Sequence, residues 1–306
     1  MTSLPPRVHL RLPATSANLG PGFDTLALAM QLHLDVEAEA AAEFRIEATG
    51  RNAEICGAIE NNLLFSSYRQ LLADHQRPAV PLAIRMRNEI PLGMGCGSSA
   101  AVRLAAVALA THFGELDWDR ERILAEASRL EGHPDNAAAC WLGGFVASAP
   151  DGDRIAAVSF PLPPEWRAVI VMPDQPLATT ESRAVLPAAW PRTDVVANLQ
   201  HVALLTAAFA AGRSDLIAAA MRDRLHQPYR AKVCPLLPKL LPLAGTDGIA
   251  GVALSGAGPA VLLLTASEGS AADVLARVQA ATQELGRVEI LICKLESEPA
   301  TFEPLD

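Results

Sequence analysis

Ile90–Leu104 reads IPLGMGCGSSAAVRL: Gly93, Gly95 and Gly97 are each separated by one residue, then come two hydroxyls and an alanine-rich apolar run. Glycine permits positive φ and close backbone approach, so the amides of such a loop can turn toward one bound group. Ser98 or Ser99 stands where a helix would start, and the free amides and macrodipole there favour an anion such as phosphate. A Walker-type loop needs a lysine ahead of its hydroxyl residue. Here Gly97 precedes Ser98, and no lysine or arginine lies between Ile90 and Val102. Nor does the dinucleotide fingerprint fit, because GMGCG runs into Ser98 rather than into two residues and a glycine. A glycine-rich turn that merely starts a helix is the plain alternative at this point.

Outward from this loop, Leu82, Ile84 and Met86 alternate as a strand that Pro91 ends, and Ser99–Phe113 predicts a helix closed by Gly114. Toward the N-terminus, Val8, Leu10 and Leu12 predict one strand, and the period-two run from Leu26 to Val36 predicts a stronger one. Between them ATSANLGPGFD (Ala14–Asp24) reads as a polar, functional loop. On the other side, Asp117 is expected to cap a helix stopped by Gly132 and Pro134. A further helix should run from Pro134 or Asp135 to Leu142, ahead of a strand at Phe145–Ala149. The proline run Pro161–Pro164 suggests domains at 1–157 and 158–306. In the second, strands are expected at Trp166–Met172, Gly251–Leu254, Ala260–Thr265 and Val288–Leu295. Helices are expected at about Asp194–Ala211, Ser214–Arg224 and Ala271–Leu285. Without regular strand–helix alternation the class is α+β.

Composition narrows the function. The 306 residues are half hydrophobic and 19% charged, a globular profile with enough length for a proper core. A net charge of −9 argues against a nucleic-acid partner. No apolar stretch reaches membrane-spanning length and MTSLPPRVHLRLP lacks the apolar centre of a signal peptide, so a cytoplasmic protein without a membrane partner is expected. Cys56, Cys96, Cys140, Cys234 and Cys293 are scattered, as buried thiols would be, and make neither a disulfide framework nor a zinc knuckle. Cys96 stands apart because a helix start lowers thiol pKa, though packing is its expected role.

Three other clusters carry polar chemistry. Glu131-Gly132-His133-Pro134-Asp135-Asn136 gathers turn and acidic residues, and a carboxylate there with Ser99 would supply hard oxygens of the kind magnesium uses. Ser255-Gly256-Ala257-Gly258-Pro259 reads as a tight hairpin, or else as a close approach to another loop. Thr179, Thr180 and Arg183, with His226 and Arg230, offer hydroxyls and guanidiniums suited to a carboxylate or phosphate; the plain alternative is a pair of surface arginines.

In this order PLGMGCGSSAA, EGHPDNAA and LSGAGPAV resemble the three motifs of the GHMP kinases. PATSANLGPGFDTLALA, EGHPDNAAACWLGGF, TTESRAVLP and LHQPYR further resemble the homoserine kinase branch, a likeness running from Leu12 to about Val261. Mevalonate kinases differ at the EGHPDN position and galactokinases at the N-terminal signature. The resemblance implies an N-terminal ATP-binding α+β domain, like one found in a ribosomal protein, followed by a ferredoxin-like C-terminal domain. It implies transfer of the γ-phosphoryl group of ATP, with Mg2+, to the side-chain hydroxyl of L-homoserine in threonine biosynthesis. A homodimer is the assembly to test. ATP contacts would come from Pro91, Leu92, Gly93, Met94, Gly95, Cys96, Gly97, Ser98, Ser99, Ala100 and Ala101, with Asn62 as a further nucleotide contact. Ser99 and Glu131 would hold the metal, and Asn18, Asp24, His133, Asp135, Arg183 and Arg230 the homoserine. Met94 and Cys96 depart from the family's usual loop residues. Related kinases carry an aspartate where Asn136 stands, so no strong side-chain base is expected. Asn136, Arg183 and Ser99 would then act by alignment and charge.

Overall fold

A computed structural model describes residues 7–246, 248–266 and 271–305; Met1–Pro6, the start of the stretch read above for a signal peptide, lie outside them. Its first part runs β1 (Arg7–Asn18), β2 (Gly22–Ala40), β3 (Arg45–Gly50), α1 (Ala53–Cys56), α2 (Leu63–Asp74), β4 (Leu82–Asn88), α3 (Ser98–Phe113), α4 (Arg120–Glu131), α5 (Asp135–Leu142), β5 (Phe145–Asp151) and β6 (Arg154–Phe160). There follow β7 (Arg167–Pro173), α6 (Thr179–Ala184), α7 (Arg192–Ala210), α8 (Ile217–Ala220), α9 (Gln227–Arg230), α10 (Leu236–Leu240), β8 (Ile249–Leu254), β9 (Val261–Thr265), α11 (Ala271–Thr282), β10 (Val288–Lys294) and β11 (Thr301–Leu305).

Two sheets organise these elements. The first has the order β11-β1-β2-β4-β3, with β5 pairing β2 and β6 pairing β5. Only β3 and β4 pair in parallel within it, as a helical crossover between them permits. The second sheet has the order β10-β7-β9-β8, the 4-1-3-2 arrangement of a ferredoxin-like βαββαβ unit. The expected two-domain α+β architecture is therefore present.

The division at 157/158 needs correction. It would cut β6, which runs in register with β5 as far as Phe145 opposite Phe160. Moreover, β11 leaves the second domain and pairs with β1, Thr301 opposite Arg11 and Leu305 opposite Arg7. Among the described residues the first domain thus comprises Arg7 to Phe160 together with Thr301–Leu305.

Alanine sets the packing behind the loop. On α3, Ala100, Ala101, Ala105, Ala106, Ala108 and Ala110 are all fully buried. Small side chains let α2, α4, α5 and the first sheet approach it closely, and a helix apolar all round is a buried one. Phe209 on α7 stacks on Phe145 of β5 at 4.0 Å, tying the second domain to the first.

Several expectations shift here. The polar stretch after Leu12 is mostly strand: Ala14–Asn18 pairs with β2, and only Leu19–Pro21 turns the chain. Thr15 and Ser16 are fully buried with their hydroxyls bonded, so their polarity marks a site rather than a loop. Asp119, not Asp117, caps α4, accepting the Arg122 amide at 2.8 Å. The helix expected over Ser214–Arg224 ends at Ala220, because the Asp223 carboxylate captures the amides of Leu225, His226 and Gln227 and starts α9 instead.

Candidate active site

The glycine loop meets the second domain through the β8–β9 turn. That turn is a hairpin and a close approach at once, since Ser255 Oγ donates to the Gly95 carbonyl at 2.8 Å. Gly95 has φ +78°, and a Cβ there would run into the Ser255 carbonyl oxygen. Gly97, at φ +71°, precedes α3, and a Cβ there would strike the Thr15 hydroxyl. Both positions therefore demand glycine. No side chain caps α3, so the first amides of a 16-residue helix are left for another acceptor.

These elements enclose a cleft of about 690 Å3. Loop residues Gly93, Gly95, Cys96 and Gly97 form one wall with Ser98, Ser99 and Arg103 of α3. Opposite lie Asn18 and Asp24 of the β1–β2 hairpin, the Glu131–Asn136 turn, α6 from Thr179 to Arg183, Arg230 and the Gly256–Gly258 turn. Every residue expected to bind substrate or metal lines this one cleft. Pro91, Leu92, Met94, Ala100 and Ala101 do not line it, and Asn62 caps α2 elsewhere, accepting the Leu64 amide at 3.0 Å. Burial pushes the Cys96 thiol up to about 12, with Cys293 adding to the rise and Arg51 opposing it, and the side chain is packed in the core.

Three clusters face the cleft. In the first, Ser99 Oγ donates to Glu131 Oε2 at 3.0 Å while Arg103 holds Oε1 at 2.7 Å. Gly132, at φ +83°, ends α4 in the left-handed conformation and turns the chain, so that Glu131 and His133 both reach the cleft.

In the second cluster, His133 Nδ1 and Asp135 Oδ1 lie 2.6 Å apart. The same Oδ1 accepts the Asn136 amide at 2.7 Å, and the Thr15 hydroxyl donates to Asn136 Oδ1 at 2.6 Å. Burial pulls the His133 pKa down, but the Asp135 hydrogen bond and the charges of Asp135, Asp24 and Glu131 outweigh it, so the net shift is upward. Ligand atoms of Asp24, His133 and Asp135 lie within 4.8 Å of one another, an acidic recess sized for a cation or an ammonium group.

The third cluster is basic. Arg183 grips Asp24 with both guanidinium nitrogens, at 2.6 and 3.1 Å. Arg230 is 1% exposed and donates to the Ser182 and Gly256 carbonyls and to His226 Nδ1, each at 3.2–3.3 Å. No carboxylate pairs with it among the described residues. Burial, then the nearby Arg183, lower its pKa to about 10, which still leaves it charged at neutral pH. The Phe23 ring is close to both, its centroid 5.3 Å from the Arg183 guanidinium and 5.2 Å from that of Arg230. Asn18 anchors this wall by donating to the Gly256 carbonyl at 2.7 Å and accepting the Asp24 amide at 3.0 Å.

Sequence reasoning did not single out Thr15, Phe23 or Arg103. Arg103 was within reach, because it follows Ser99 by four residues on one helix and so shares its face. Thr15 was hidden by reading its strand as a loop. A shallower depression of about 180 Å3 lies on the open face of the first sheet. Its arginines pair with neighbouring glutamates, Arg7 with Glu37 and Arg85 with Glu37, and it holds none of this chemistry.

Comparison with known proteins agrees with this geometry. The family description "GHMP kinases N terminal domain" matches residues 62–144, and "GHMP kinases C terminal" matches residues 205–283. A homoserine kinase of Solibacter usitatus is 46% identical over 258 residues, covering 83% of this chain and 84% of its own. One of Moorella thermoacetica is 40% identical over 253 residues, covering 83% and 86%. Among solved structures, a putative homoserine kinase from Listeria monocytogenes superposes with a TM-score of 0.76 at 28% identity, over 98% of this chain and all of the other. Homoserine kinase from Cytophaga hutchinsonii shares the fold, with a TM-score of 0.80 at 23% identity over 99% of both chains.

Proposed function

This chain belongs to the GHMP kinases, within their homoserine kinase family, and from that premise we infer how its cleft moves the γ-phosphoryl group of ATP onto the side-chain hydroxyl of L-homoserine. The observation that carries the reading is a single cleft with an uncapped helix start on one wall and a paired basic and acidic recess on the other. The first wall suits the polyphosphate and the second suits a zwitterionic amino acid.

Arg230, which has no carboxylate partner among the described residues, is the primary anchor of the homoserine carboxylate. Arg183 joins it by exchanging Asp24 for the substrate, which frees Asp24 to meet the ammonium group beside Asp135. Such an exchange keeps charge balanced throughout, because each ionic group leaves one partner for another of the same sign. Binding is therefore selective for a molecule bearing both charges, and the hydroxyl end is left directed at the phosphate wall.

Ser99 and Glu131 fit a magnesium ion. Their oxygens are hard donors only 3.0 Å apart, and the Glu131 side chain is 5% exposed. The ion, when bound, supplies positive charge to the phosphate oxygens. The helix start at Ser98 and the loop amides supply the rest from the protein.

On this reading no strong side-chain base takes the hydroxyl proton. Asn136 is an amide whose Oδ1 is engaged by Thr15, and the Asp135 oxygen nearest it is shared between His133 and the Asn136 amide. A loose transfer has little need for early deprotonation, so alignment and fixed charge carry the rate. As the new O–P bond forms and the bond to ADP breaks, the hydroxyl proton leaves with the phosphoryl oxygens.

ADP release measured with L-homoserine, 4-hydroxybutyrate, mevalonate and galactose tests this reading. Turnover is expected with L-homoserine alone at millimolar acceptor. Faster turnover with mevalonate or galactose, or none with homoserine, would overturn it.

A further inference from the structure

We propose that Arg103 is a positioning and charge-balancing residue of the phosphate site, one that lets the cleft accept a nucleotide before any divalent ion arrives. The inference rests on the reading above, in which Ser99, Glu131 and the glycine loop face the polyphosphate. It concerns a residue to which neither the motifs nor the expected chemistry gave a part.

The argument starts from a conflict of charge. The Glu131 carboxylate is nearly buried, and it lines the wall where, on that reading, an ATP tail of several negative charges lies. A buried carboxylate left without a partner is costly, and one facing phosphates is worse. A lysine in the loop would resolve this, but the loop has none. Arg103 stands one helical turn beyond Ser99, lines the same cleft, and pairs with Glu131 Oε1 at 2.7 Å. Among the described residues that carboxylate is its one hydrogen-bonding partner, made through a single nitrogen.

Two consequences follow from this placement. By holding Oε1, Arg103 fixes the carboxylate so that Oε2 stays beside the Ser99 hydroxyl, the two oxygens offered to a metal. By cancelling the Glu131 charge, it makes the empty site tolerant of an anion. Nucleotide without metal should then bind appreciably, and dependence on Arg103 should shrink once a divalent ion takes over the neutralisation.

Calorimetric titration with ADP, in EDTA and again with excess Mg2+, tests the proposal on the intact chain. Arg103→Met is expected to weaken metal-free ADP at least tenfold and Mg·ADP less than threefold. Arg103→Gln, which keeps a hydrogen bond to Glu131 but no charge, carries the same expectation and serves if the methionine variant fails to fold. The double variant Arg103→Met/Glu131→Gln should regain metal-free binding to within threefold of the parent. Equal losses with and without Mg2+, no loss in EDTA, or a double variant as weak as the single one would each overturn the role of Arg103. Parent protein that binds no ADP under either condition would instead overturn the phosphate site itself.

Discussion

Asp135 and His226 concentrate the chemistry of single residues. If Asp135 orients substrate rather than taking its proton, Asp135→Asn should raise KM for homoserine about tenfold or more and leave kcat near normal. Loss of kcat alone would make it the base, and an acidic limb in the kcat profile would point the same way. Arg230→Met removes a buried charged donor, and KM for homoserine should rise roughly 10- to 100-fold. His226 supports that arginine as a neutral ring, with Nε2–H donating to the Gly20 carbonyl at 2.7 Å and Nδ1 accepting from Arg230. Burial holds its pKa down, with the Arg230 charge acting in the same sense and Asp223 against. Its folded value thus lies below the unfolded one of about 6.5, so its stabilisation is full above that pH and is lost as pH falls. His133, shifted upward, acts in the opposite sense, its contribution fading as pH rises. Urea unfolding between pH 7.5 and 5.5 should show a steeper loss in the parent than in His226→Gln, which removes the titrating ring but can bridge the same two groups.

At the scale of elements, the contact between the glycine loop and the β8–β9 turn joins the proposed phosphate site to the proposed substrate site. Gly95→Ala should push the Ser255 carbonyl away, raising KM for ATP and lowering the thermal midpoint together. Asn62→Ala separates two roles for one residue. Loss of its cap should cost about 1 kcal/mol of stability, and unchanged KM for ATP would leave it no part in the nucleotide site. The sequence made α3, the loop and the α4–α5 turn legible because glycine, proline and long alanine runs are strong local signals. The substrate wall was legible only as separate motifs: Asp24 and Arg183 are far apart in the chain, and their ion pair depends on how the two domains dock. Ala14–Asn18 was misread because small polar residues look alike in a loop and in a buried strand. β3 and β11 went unseen because both are short and hold partly exposed, mixed residues.

For the whole molecule, ligands that bridge the domains should stabilise them together. Mg·ADP at a hundred times its Kd adds about 2.7 kcal/mol to unfolding free energy, and homoserine added afterwards should raise the melting temperature further. The cysteines report on the same packing. Cys56 alone is partly exposed and the other four are buried, so brief iodoacetamide treatment of the native protein should label Cys56 first, as peptide mass spectrometry would show. Finally, β11 closes the first sheet with residues that enter the chain after the entire second domain. During synthesis β1 must wait, its outer edge bare, until those five residues leave the ribosome, although most of its sheet is already made. Nascent chains arrested before Thr301 should therefore stay open to protease in their earliest segment, and folding in the cell should finish only when late-made residues return to the beginning.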